Sequence, residues 1–105
     1  MIRQIPCQHD SAGMEAELNV MVDHGCTVLD VIVEHSVYGK ISAELNITSR
    51  YEADLFVEKL QETGACPLSA LTEGIHIHTV SVKDEETFAR ITKKLKDLGI
   101  LIEAE

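Results

Sequence analysis

The chain has 105 residues, of which 45% are hydrophobic and 26% charged, and its 18 acidic against 9 basic side chains give a formal charge of −9. That length suits one domain spanning residues 1–105, and with no Trp and few aromatics its core must be aliphatic. The composition excludes a membrane span, since no apolar run nears the roughly 20 residues required. It also argues against a nucleic-acid surface, which needs clustered Lys and Arg.

The N-terminus, MIRQIPCQHD, lacks the apolar core of a signal peptide. Cys7, Cys26 and Cys66 are odd in number and far apart. They suit reduced thiols in a cytoplasm better than a disulfide framework.

In chain order, IRQIPCQH predicts a first strand, which Pro6 confines to a sheet edge or makes irregular. A first helix is predicted from Ser11 to His24, with Asp10 as its N-cap and Gly25 closing it. CTVLDVIVEH predicts the second strand, SVYG (Ser36 to Gly39) a hairpin turn, and KISAELNI the third strand. In that third strand Ile41, Ala43, Leu45 and Ile47 share one face. A second helix opens at SRYE, where Ser49 and Glu52 match a capping box, and ends at Gly64. Its apolar face is Ala53, Phe56, Val57 and Leu60. IHIHTVSV predicts the fourth strand. A third helix opens at Asp84, turns Phe88, Ile91, Leu95 and Leu98 inward and ends at Gly99, and ILIEA offers a short fifth strand.

The order βαββαβαβ, with one polar sheet face and three amphipathic helices, predicts an α+β protein. It is an open-faced two-layer sandwich with an antiparallel sheet and all helices on one face. The connectivity resembles the HPr-like fold, whose strand order is 1-4-2-3. Tracing the chain up and down through that order gathers His9, His35, His76 and His78 at one end of the sheet. His24 falls at the other.

His76 and His78 stand two residues apart, so strand alternation aims both rings at one side, the side of Val80 and Val82 that the helices cover. At about 100° per residue, Glu17 falls inside the apolar arc of the first helix, between Val20, Met21, Met14, Leu18 and Val22. A buried carboxylate wants a cation. No Lys or Arg is at hand in the sequence, whereas imidazoles are. His9, Glu17, His76 and His78 offer three nitrogens and one oxygen, a donor set for a borderline divalent ion such as zinc or nickel. Cys7 shares the strand face of His9 and is either a further thiolate donor or a small buried hydrophobe.

CQHD, with Glu17 eight residues beyond the histidine, VLDVIVEHSVYG, SRY and PLSALTEGIHIHT resemble, in order and nearly end to end, the three-histidine (3H) domain. That domain is the C-terminal sensor half of bacterial nicotinate-responsive repressors of NAD biosynthesis and salvage genes. The resemblance implies metal ligands at His9, Glu17, His76 and His78, nicotinate as effector, and no enzymatic activity. It places Ser36 where the family usually has Pro. Family members carry an N-terminal winged-helix DNA-binding domain, whereas this chain begins almost at the first strand of the sensor. DNA contact is therefore expected only through a separate domain.

His35 and Tyr38 on the hairpin, and Ser69 and Thr72 on the loop before His76, are candidate walls of the effector pocket; ordinary turn chemistry is the alternative for each. Two other functions compete. A phosphocarrier of the HPr type would use His9 near a helix N-terminus, but Asp10 stands where phosphate wants a basic group. A small zinc hydrolase would need an open metal position and a general base beyond Glu17. Repressors of the implied kind act as dimers. Since the outer sheet face carries Asp30, Glu34, Ser42, Glu44 and Asn46 around Ile32, any homodimer of this chain is expected to be weak and to form through an edge strand or helix flank.

Overall fold

The computed structural model describes residues 1–103. Strand β1 (Ile2–Gln8) leads through a 3-10 turn (Ser11–Gly13) into helix α1 (Met14–Asp23). Strands β2 (Thr27–His35) and β3 (Gly39–Ile47) form the hairpin. Helix α2 (Arg50–Thr63), a second 3-10 turn (Leu68–Thr72), strand β4 (Ile75–Ser81) and helix α3 (Glu85–Asp97) complete the chain. All strand pairs are antiparallel, in the order β1-β4-β2-β3, as expected from the sequence.

The helices stop where local chemistry stops them. Asp10 Oδ1 accepts from the Ala12 N–H, so it caps the first helical segment, although that first turn is 3-10 rather than α. Ser49 Oγ accepts from Glu52 N–H at 3.2 Å, as half of the predicted box. The return bond shifts by one residue: Glu52 Oε1 accepts from Thr48 N–H, not from Ser49. Asp84 Oδ1 caps α3 at Thr87 N–H.

The core is one cluster. Leu18, Met21 and Val22 of α1, Ala53 of α2, and Ile91 and Leu95 of α3 pack with Ile5, Cys7, Val28, Ile47, Val80 and Val82 of the sheet. Three helices sharing one core with one sheet face make the two-layer α+β sandwich. Leu98 departs from expectation, being 47% exposed. The chain leaves the helix there, and the positive φ of Gly99 swings Ile100 into the core in its place. The predicted fifth strand reduces to a single bridge, Cys7 to Leu101, with flanking bonds from Gln8 N to Ile100 O and from Ile102 N to Pro6 O. Ala104, the end of that prediction, lies outside the described residues. Those same bonds show that Pro6 and Gln8 direct their backbone groups away from β4, so the missing N–H of Pro6 costs the β1–β4 ladder nothing.

Two irregularities position the site. The register slips between Val28 and Asp30, where β2 holds one residue more than β4. This bulge lets Val28 and Val31 both face the helices, and it sets Val31 opposite His78. The outer face is less polar than the sequence suggested: Ile77 pairs with Ile32 there, and Ile75 is 47% exposed.

Candidate metal centre

The register of β1 against β4 sets Cys7 opposite His76 and Ile5 opposite His78, all on the helix-covered face. His9 follows β1 directly, and α1 crosses above with Glu17 turned down at 1% exposure. The four residues therefore arrive from three elements and converge. His78 Nε2 is 2.5 Å from Glu17 Oε1, His76 Nε2 is 2.8 Å from Oε2, and His9 Nε2 is 2.9 Å from Oε2. The rings stand nearly perpendicular: His9 and His76 have centroids 4.7 Å apart, His76 and His78 4.9 Å.

The far side of each ring fixes its chemistry. His9 Nδ1 meets the Asp10 carbonyl, His76 Nδ1 the Gly74 carbonyl, and His78 Nδ1 the Asp30 carbonyl at the bulge. A carbonyl only accepts, so each Nδ1 must carry the proton and donate. A neutral ring then presents a bare Nε2 lone pair to the centre. Three lone pairs facing one carboxylate repel unless positive charge lies among them. His9 Nε2 shows the strain of this arrangement: it is buried and lacks a hydrogen-bond partner among the described residues, despite its 2.9 Å approach to Glu17.

Either protons or a cation can relieve the conflict. Burial alone would push the Glu17 carboxyl up, but hydrogen bonds from His76 and His78 and the proximity of His9 hold it well below the usual carboxylate range. Burial lowers the pKa of His9, yet Glu17 outweighs burial and raises it. Three imidazolium groups around one carboxylate would bury a net positive charge, at a cost of several kcal/mol for each unmatched ion. One divalent ion would satisfy all four groups at once. Backbone carbonyls orient these three rings from behind, as they ordinarily do for metal-binding histidines.

A second grouping overlaps the first. Cys7 Sγ, a Glu17 oxygen and a His76 nitrogen lie within 4.8 Å of one another. Burial and the nearby Glu17 push the Cys7 thiol up, and its Sγ leans toward the Ile5 carbonyl at 3.7 Å. Cys7 is thus buried against the carboxylate and within reach of the same centre.

Beside the carboxylate lies a cavity of about 190 Å³, bounded by His9, Glu17, His76 and His78 at one end. Its other walls are apolar: Met14 and Leu18 of α1, Val31 of β2, Ala43 and Leu45 of β3, Phe56 and Leu60 of α2, and Pro67 and Leu68. Ser69 is the one polar neighbour from the loop. The sequence placed Phe56 and Leu60 on the apolar face of α2; both are half-buried and line this space, and Phe56 also packs against the core.

The other sequence-predicted wall residues are placed differently. His35 Nδ1 accepts from Val37 N–H and Tyr38 N–H, and the His35 and Tyr38 rings stack 4.9 Å apart on the hairpin tip. Tyr38 is 78% exposed. Thr72 donates its hydroxyl to the Ser69 and Ile75 carbonyls. None of the three borders the cavity that Ser69 borders. His24 donates to the Val20 carbonyl at the opposite end of α1. The carbonyl of Asp30, and the glycines that bound His9, went unread in the sequence, because backbone groups and close approaches leave only the faintest composition signal.

Fold and site together define a small two-layer α+β module with a buried His/Glu cluster and an adjoining apolar cavity, the form of a binding domain. Residues 2–104 match the family model of the 3H domain, and the chain belongs to that family. It is 41% identical over 100 residues to the transcription repressor NadR of Bacillus subtilis (strain 168), covering 95% of this chain and 56% of that protein. It is 39% identical over 101 residues to the probable transcription repressor NiaR of Thermotoga maritima, covering 96% and 58%. The chain thus spans a little over half the length of these relatives, which are named as transcription repressors and not as enzymes.

Proposed function

We propose that residues 1–105 form one effector-sensing module of a cytoplasmic transcription repressor of NAD metabolism, holding a divalent ion and binding nicotinate beside it. The observation that carries this reading is the convergence of three Nε2 lone pairs on the Glu17 carboxylate beside an apolar cavity. His9, Glu17, His76 and His78 would hold a zinc- or nickel-like ion, which would supply the site's positive charge.

The cavity suits the effector's other end. An apolar cavity of about 150 Å³ takes a benzene ring, so about 190 Å³ accommodates a single six-membered ring. Val31, Leu45, Phe56 and Leu60 would exclude water around that ring, and Ser69 would offer it a polar contact. Among the described residues no Lys or Arg borders the cavity. Arg3 pairs with Glu85 and Arg50 with Asp23, away from the site. A carboxylate entering here needs the ion.

The alternatives fare worse. The His9 side chain is 6% exposed and turned onto a carboxylate, the wrong charge for a phosphorylated histidine. A hydrolase would need a free base, and Glu17 is engaged by all three imidazoles. DNA contact would come from a separate part of the repressor.

Calorimetric titration of nicotinate and of nicotinamide into metal-loaded and metal-stripped protein tests the reading. Nicotinate is expected to bind the loaded form at least tenfold more tightly than the stripped form, and more tightly than nicotinamide. Equal affinity in both forms, with the stripped protein folded, would locate the ligand elsewhere.

A further inference from the structure

We propose that Gly13 and Gly74 are positioning residues that cradle His9 and thereby set the geometry of the His/Glu centre; this rests on the metal reading above. His9 lies past the end of β1, where the ladder no longer holds it. Something else must fix its ring.

Gly13 lies four residues on, at the N-cap of α1, with an ordinary φ of −83°. A Cβ built there would stand 2.8 Å from His9 Cβ and 3.0 Å from its Cγ. Those atoms are the root of the side chain, not its flexible end, so an added methyl must push the His9 and helix-start backbones apart and carry the imidazole with them. Gly74 meets the backbone of His9. Its carbonyl accepts from His9 N–H at 3.4 Å, and a Cβ on Gly74 would lie 2.2 Å from the His9 carbonyl oxygen. The same Gly74 carbonyl receives His76 Nδ1–H at 2.8 Å. One glycine therefore ties together histidines from β1 and β4.

Backbone strain alone does not account for this pair. Gly25 has a φ of +80°, close to the +87° of Gly74, yet among the described residues nothing lies within 4 Å of its would-be Cβ. Gly13 has no left-handed φ at all, so Ala adds no backbone strain there and costs only the modest N-cap preference for Gly. Gly13→Ala should therefore still fold and misplace His9, whereas Gly25→Ala should strain the backbone and leave the site alone.

The test compares wild type, Gly13→Ala and Gly25→Ala, each confirmed folded by circular dichroism. Zinc and nickel affinity is measured by competition with a chromophoric chelator. The NOE between the His9 and His76 rings is measured on the metal-free proteins. Gly13→Ala is expected to bind metal at least tenfold more weakly and to lose intensity in that NOE, with Gly25→Ala matching wild type in both. Wild-type affinity and an unchanged NOE in Gly13→Ala would overturn the proposal. If wild type takes up no metal, the metal reading fails on its own, and the NOE alone then decides the cradle.

Discussion

Glu17 Oε2 lies 2.8 Å from His76 Nε2 although 59 residues separate them in the chain. The carboxylate is fully enclosed, so its charge is answered by imidazoles rather than by water.

Removing that charge should dismantle the site. Glu17→Gln keeps the volume but cannot pair with a cation. It is expected to lower zinc or nickel affinity by a factor of at least ten to a hundred, as is loss of either His76 or His78. Elemental analysis of freshly purified variants, with wild type near one equivalent per chain, checks it.

Stability should depend on pH with opposite signs in the two forms. The Glu17 carboxyl is depressed, so its contribution is present above the ordinary value of 4.5 and fades as pH falls through its lower folded value. His9 is raised, so its contribution is complete below 6.5 and fades as pH climbs through its higher folded value. Metal-free protein should be most resistant to urea between those two pH values and weaken above them. Metal-loaded protein should instead gain from pH 6 to pH 8, because protons compete with the ion for the same nitrogens. Urea midpoints with a chelator and with saturating zinc should converge at low pH and diverge as pH rises.

The cavity wall can be altered without touching the centre. Ala43 borders the cavity on β3 and is largely exposed. Ala43→Leu should change stability by no more than about 0.5 kcal/mol. It should leave metal content intact and weaken nicotinate binding at least tenfold by filling the ring's space. Calorimetry on the loaded variant measures this.

This chain alone should not bind operator DNA. Its formal charge is −9, and Arg3, Arg50, Arg90 and Lys96 are all engaged by carboxylates. A sequence-specific gel shift at low salt would contradict the expectation. Sedimentation at micromolar concentration should show at most weak self-association.

Much of the site was legible because its signals are local. An H-x-H pair on a strand must aim both rings one way, and Glu17 stands out as a charge within an apolar helical arc. The strand order came from the resemblance of the βαββαβαβ connectivity to the HPr-like fold, and capping residues and glycines marked the helix ends. Tertiary structure decided the rest. Only packing could show that α2 stands far enough from the sheet for Phe56 and Leu60 to enclose a cavity. The hydrophobic pattern reads the same for a core face and a cavity wall. Only register could reveal the bulge that presents Asp30's carbonyl to His78. His35 and Tyr38 reach the same end of the sheet as the centre, but the hairpin turn uses them itself. Likewise nothing local in the sequence singles out Gly13 or Gly74. Their closeness to His9 depends on chain segments meeting in space, which no run of residues encodes.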